Sequence, residues 1–199
     1  MKIKTKLIIA FCIIIFVPIL LATATVVGFC NFQAHAIEET YGIKNTDAYS
    51  VINSVQLLHR FTVADFQKIQ KKIQKTPDEL VNMTYLQELN EELKQKYSYL
   101  IIRRGSQLYY NGGSDNQIVV DSLPDYGSTG SEAGVGTYID SDDEILVKQV
   151  DFKLTTGEET TAFIITSLKE TVPEVRQTIV GGIISIVIIL LLTAFMMII

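Results

Sequence analysis

Two uncharged hydrophobic stretches, one at each end, constrain this 199-residue chain more than any other feature. No Asp, Glu, Lys or Arg occurs from Leu7 to Ile37, and none from Gln177 to Ile199. Apolar runs of about 18 residues or more are candidates to cross a bilayer. Leu7 to Phe29 makes roughly 34 Å of helix at about 1.5 Å per residue, and Ile179 to Ile199 roughly 31 Å. Both match a hydrocarbon core of about 30 Å. Lys2, Lys4 and Lys6 directly precede the first stretch, and the positive-inside bias holds such an end in the cytoplasm. Four segments follow. They are a cytoplasmic N-terminus 1–6, a first transmembrane helix 7–32, an extracytoplasmic domain 33–176, and a second transmembrane helix 177–199.

A second reading of the N-terminus is a secretory signal, since Ala34-His35-Ala36 has the small-x-small form of a cleavage site. Signal cores run about 7–15 apolar residues. The longer run here favours an uncleaved anchor. No basic residue follows Ile199, so the chain is expected to be the N-terminal portion of a longer protein.

The net charge of −5 conceals an asymmetry. The three N-terminal lysines are the only charges outside the central domain, which carries 22 acids against 14 bases. A nucleic-acid partner would need a basic stripe, and the acid excess argues against one. Cys12 and Cys30 both lie in the first apolar stretch and read as small hydrophobes. A domain of this size builds one core without disulfides.

Along the central domain, Gln33 to Arg60 predicts a long helix. Tyr41, Ala48, Val51, Val55 and Leu58 fall on an alternating three- and four-residue spacing, interrupted by Lys44, as in a parallel dimer seam or in one face packed on its own domain. Thr62 to Lys75 continues helical, with Phe66, Ile69 and Ile73 on one face and Lys68, Lys71, Lys72 and Lys75 on a solvated one. Thr76-Pro77-Asp78-Glu79 has the form of a capping box with Pro in the first turn. It predicts a helix to Gln95 with Leu80, Met83, Leu86, Leu89 and Leu93 inward, the glycosylation triplet Asn82-Met83-Thr84 lying inside it. From Tyr97 the period becomes two. Strands are expected over 97–104 and 107–111, with a short extended piece over 117–121. A glycine-rich loop follows, then strands over 136–140, 144–154 and 159–168. Helix resumes from Lys169, with Pro173 a possible kink. The fold class is α+β: two transmembrane helices flank a five-stranded antiparallel sheet preceded by a long N-terminal helix.

This order resembles the extracytoplasmic Cache domains, whose sheet is PAS-like. Met1-Lys2-Ile3-Lys4-Thr5-Lys6-Leu7 followed by Phe16-Val17-Pro18-Ile19-Leu20 resembles the first span of bacterial sensor histidine kinases. Lys148-Gln149-Val150-Asp151-Phe152-Lys153-Leu154 with Thr156-Gly157-Glu158-Glu159 is similar to the last hairpin of such sensors. The resemblance implies an input module of a two-component system in the cell membrane. A linker, a phosphoacceptor-histidine helix and an ATP-binding domain would lie beyond Ile199. It implies a homodimer, a small-molecule or envelope ligand, and a response regulator reached through the missing part. ATP and Mg²⁺ belong to that part, and no cofactor is expected in this chain. His35 and His59 both fall on the outer side, away from cytoplasmic ATP. The same input module also serves chemoreceptors and nucleotide cyclases. A membrane-anchored binding protein without an output domain is a further alternative.

No catalytic constellation is present: neither H-E-x-x-H nor paired C-x-x-C occurs. Gly127-Ser128-Thr129-Gly130 lacks the spacing of a nucleophile elbow, and the glycines 127, 130, 134 and 136 lack a phosphate-loop Lys. Asp140, Asp142, Asp143 and Glu144 offer hard oxygen ligands for Ca²⁺ or Mg²⁺. Ile145, however, stands where a calcium loop needs Gly, and a solvated hairpin turn explains the cluster better. The candidate ligand-binding residues are Arg103, Arg104, Tyr109, Tyr110, Tyr138, Asp151 and Lys153. Strand alternation sends Arg103 and Arg104 to opposite faces, and one of them suits a carboxylate. The tyrosines suit an amphipathic pocket. On the fourth strand Leu146, Val150, Phe152 and Leu154 share one face, and Gln149, Asp151 and Lys153 the other.

Overall fold

The structure is a computed structural model that describes residues 3–47, 49–113, 117–129, 134–169 and 172–198. It divides into two compact units, one of Met1–Ser54 with Val172–Ile199 and one of Val55–Thr171.

The first unit is built on two long helices, α1 (Ile3–Tyr41) and α6 (Pro173–Ile198). Both are long and apolar enough to cross a membrane. Their most apolar windows are 0% and 6% buried, so neither is the core helix of a globular fold. Phe11, Leu20 and Leu191 are all more than half exposed. The hydroxyls in these helices bond back to their own backbones: Thr23 Oγ1 donates to the Ile19 carbonyl at 2.9 Å and Ser185 Oγ to the Gly181 carbonyl at 2.8 Å. This is the arrangement that hydrocarbon surroundings require of a polar side chain. Tyr41 Oη donates to Glu174 Oε1 at 3.1 Å, tying the C-terminal end of α1 to the N-terminal turn of α6. Pro173 opens α6 rather than kinking it, because a first helical residue needs no N–H donor.

The long helix expected over 33–60 is interrupted. α1 stops at Tyr41 because Gly42 takes φ +65°, the left-handed conformation that ends helices; three residues on, Asn45 takes φ +58°. Asp47 Oδ1 then accepts from Ser50 N and Oγ at 2.7 and 2.8 Å, which starts a 3-10 turn over Ser50–Ile52. Helices α2 (Ser54–Phe61) and α3 (Val63–Lys75) follow. The expected seam residues therefore lie on separate elements. Tyr41 ends α1, Val51 is buried in the 3-10 turn, and Val55 and Leu58 sit on α2. Leu58 is fully buried. Ala48 lies outside the described residues. No single helix carries a continuous stripe through these positions.

The second unit is α+β. A 3-10 turn over Pro77–Val81 precedes α4 (Met83–Lys94). The helix starts at Asn82, not at Thr76: Asn82 Oδ1 accepts from Thr84 N and Tyr85 N at 3.0 and 3.3 Å. Asn outranks Thr as a cap, and Glu79, expected to complete the box, pairs with Lys72 as well as with the Thr76 side chain. The triplet at Asn82 thus sits at a helix start. The strands are β1 (Ser98–Arg104), β2 (Gln107–Asn111), β3 (Val135–Asp140), β4 (Ile145–Lys153) and β5 (Glu159–Ser167). They form one antiparallel sheet in the order β2-β1-β5-β4-β3. The expected extended piece after Asn116 is a short helix, α5 (Gln117–Ser122). Its buried Val120, with Leu123 just beyond, joins an apolar cluster on the sheet, so packing outweighs the strand preference of a Val-Val pair.

Alternation along the strands separates two faces. One buries Leu100, Ile102, Val150, Phe152, Ala162 and Ile164 under α3 and α4. The other carries Ile101, Ile145, Val147, Phe163 and Ile165. The first face also buries Ser98, Thr160 and Thr166 and, as its one buried cation among the described residues, Lys148, only 2% exposed. Its Nζ donates to the His59 carbonyl and to Thr62 Oγ1, each at 2.6 Å. The sheet centre is thereby tied to the junction of α2 and α3.

Candidate functional site

The second sheet face becomes polar toward one end, and the register shows why. Arg103 pairs with Thr161, and Thr161 with Asp151, so these three stand in one row across β1, β5 and β4. The next row is Ile101, Phe163, Gln149 and Gly136, and the one after it Tyr99, Ile165, Val147 and Tyr138. Side chains two residues apart project to the same face. Polar groups therefore collect at one end of the face and aromatic ones at the other.

The segment 122–129 lies over this face, held by two polar clamps. Arg103 Nη1 donates to the carbonyls of Leu123 and Pro124 at 3.1 and 3.4 Å, while Nη2 meets Asp125 Oδ1 at 3.1 Å. The Arg103 side chain is 13% exposed and its Asp125 partner 85%. The carboxylate end of that clamp is therefore solvent-screened, and it contributes little on its own. At the second clamp Asp151 Oδ2 accepts from Gly127 N at 2.9 Å. Its Oδ1 accepts from Thr161 Oγ1 at 2.9 Å and Gln149 Nε2 at 3.0 Å.

Between this segment and the sheet lies a cleft of about 360 Å³, lined by Ser122, Pro124, Ser128, Thr129, Tyr138 and Gln149, among others. Gly136 forms part of its floor. A Cβ there would lie 3.2 Å from the Thr129 methyl, so glycine lets the segment approach the strand. Burial, with Asp140 adding to it, pushes the Tyr138 phenol up to about 12. It is a neutral donor at physiological pH. The cleft thus presents hydroxyls, one amide and one aromatic ring, a set suited to orienting a small polar molecule.

The seven expected ligand residues do not form one pocket. Arg103, Asp151 and Tyr138 share the cleft face, with Arg103 and Asp151 engaged in the clamps. Arg104 is on the opposite face, paired through Nε and Nη2 with Glu158 and lying 5.2 Å from the Tyr109 ring centroid. Tyr109 Oη donates to the Val81 carbonyl at 2.6 Å. Tyr109 and Tyr110 both pack against the first-face core. A bulge between Ile102 and Arg103 breaks the alternation there: Ile102 pairs with Tyr110 and Arg103 with Leu108, leaving Tyr109 as the extra residue. Lys153 lies at the strand end, 3.4 Å from Glu159.

The acids at the β3–β4 turn do not converge. Asp140 Oδ1 accepts from Asp142 N and Asp143 N, Asp143 accepts from Ser122, and Glu144 faces Lys169 at 3.9 Å. Glu144 takes φ +52° to close the turn. Among the described residues, no three His, Cys, Asp or Glu side chains are gathered to hold a metal ion.

Sequence reasoning missed Ser122, Ser128, Thr129, Gln149 and Thr161 as site residues. The alternation of β4 placed Gln149 beside Asp151. The segment that covers them carries no periodic signal. No known family, curated protein or solved structure matches this chain.

Proposed function

We propose that this chain is the input module of a transmembrane receptor, a two-component sensor histidine kinase whose catalytic part is not in these residues. One observation carries the reading. In chain order, an α+β unit with a cleft on its sheet stands between two helices that are each long and apolar enough to cross a membrane. On this reading Lys2, Lys4 and Lys6 keep the N-terminus inside, and the sheet unit is a Cache-like domain on the outer side. A ligand in the cleft would favour one arrangement of segment 122–129 over another. A ligand shifts an equilibrium only through such differential affinity. The shift would reach the cytoplasm as a movement of α1 and α6 in a homodimer.

The test is a chimera of residues 1–199 with the cytoplasmic part of a well-behaved histidine kinase, read by autophosphorylation in membranes. Loosening a clamp with Arg103→Gln or Asp151→Ala is expected to shift basal output. If those variants and a deletion of 55–171 all leave output equal to the parent chimera, the domain is not an input and the reading fails. A phosphatase fused after Asn111 checks topology, and activity of that fusion only inside the cell would overturn the outward placement.

A further inference from the structure

Helix α3 carries a basic stripe that the cleft does not use. Lys68, Lys71, Lys72 and Lys75 are spaced three, one and three residues apart, which puts them on one helical face. All four line a groove of about 520 Å³ whose wall includes Tyr85 of α4. Like charges at this spacing repel, and the surrounding domain is acidic, so the concentration of cations calls for a reason. Glu92 meets Lys68 at 2.8 Å, and Glu79 pairs with Lys72. Lys71 and Lys75 are exposed and have no carboxylate partner among the described residues. Four ammonium groups against two carboxylates leave the groove positive.

A second, independent feature lies at the same place. The Tyr85 hydroxyl is buried yet makes no hydrogen bond among the described residues. Buried polar groups are nearly always paired. Lys72 Nζ stands 5.0 Å from the centroid of the same ring. Burial raises the Tyr85 pKa, so the phenol keeps its proton and remains a donor.

Lys68 and Lys72, like Lys71 and Lys75, are separated by four residues, a rise of about 6 Å. Lysine binds phosphate as a compact point charge, while arginine is favoured for bidentate recognition of carboxylate and phosphate alike. We infer that this groove binds an elongated polyphosphate-class anion, with Lys71 and Lys75 as the main cationic contacts and the Tyr85 hydroxyl as the neutral donor. The inference is independent of the receptor reading, because binding is read without any signalling output.

The experiment is calorimetric titration of tripolyphosphate into the full chain in neutral detergent, with citrate as the non-phosphate control. Saturable binding is expected, weakening as salt rises from about 50 to about 200 mM. Lys71→Gln with Lys75→Gln, on exposed positions that leave the core intact, should weaken it at least about tenfold. Tyr85→Phe should weaken it about tenfold through the lost hydrogen bond. No saturable binding, citrate binding as tightly, or unchanged affinity in the double lysine variant would overturn the proposal. Unchanged affinity in Tyr85→Phe would overturn the donor role, and that variant's melting temperature checks that it folds. Nanodiscs with and without phosphatidylglycerol separate the sources of the anion. Tripolyphosphate affinity equal in both identifies a soluble ligand. A loss with phosphatidylglycerol, whose headgroup carries a single phosphodiester, would overturn the assignment to a polyphosphate-class anion.

Discussion

The two faces of this sheet are made from alternate residues of the same strands, yet they are held by different forces. Under α3 and α4, Leu100, Ile102, Phe152 and Ile164 meet Leu86, Leu89, Leu93 and Ile69 in a continuous apolar core. On the other face, Arg103 and Asp151 hold segment 122–129 by hydrogen bonds. Apolar burial is non-directional and accumulates with area. A polar clamp is directional, has a net value of about 1 kcal/mol per bond, and exchanges readily with water or a ligand. The first face therefore sets global stability. The second is where a small free energy can move a segment.

The sharpest way to break this comparison is to damage the apolar face. Leu100→Ala, at a fully buried position, should cost about 3 kcal/mol, read as a lower denaturant midpoint of the whole sheet unit. A loss confined to a few amides would mean that this face is not the common core.

The next test uses the single buried cation of that face. Burial holds the Lys148 ammonium down to about 8, against a smaller raising effect of Asp65. The unfolded chain carries the ordinary lysine value of about 10.4 and binds more protons between those limits. Stability contributed at Lys148 must therefore rise as pH goes from about 8 to about 10.4, by roughly 3 kcal/mol. Lys148→Met should remove that rise. An identical pH dependence in parent and variant would show that the ammonium is not desolvated.

Asp151→Ala probes the second face. Thr161 Oγ1 and Gly127 N lose their acceptor, at a cost of about 2 kcal/mol. The expected signature is local: faster amide exchange over 122–129 with β1, β4 and β5 still protected. Arg103→Gln should give the smallest effect, about 1 kcal/mol, with the same local pattern. Uniform loss of protection in either variant would erase the distinction between the faces.

Much of this architecture was legible residue by residue. The uncharged ends marked α1 and α6, and period-two alternation marked the five strands within a residue or two. Arg103 and Arg104 face opposite ways, as adjacent strand residues must. Other features left weaker traces. The chain turns at Gly42, where a left-handed glycine ends the helix despite the apolar pattern that continues beyond it. α4 starts at Asn82, whose side-chain oxygen accepts from Thr84 N and Tyr85 N. α5 forms where Val120 can be buried against the sheet. At α5 a partner distant in sequence decided between the local alternatives.

The candidate site shows the same division. Arg103, Asp151 and Tyr138 were identifiable as strand residues of the right chemistry. Arg104, Tyr109 and Tyr110 had equal claims and were separated from them only by the side of the sheet and by one bulge. Alone, the sequence determined two long apolar helices, an acidic central domain and the period of each strand, because hydropathy and side-chain alternation are local properties. Only the tertiary structure decided which polar residues meet. The row Arg103–Thr161–Asp151, the buried Lys148 and the covering segment 122–129 all depend on register between strands, and register is a property of pairs.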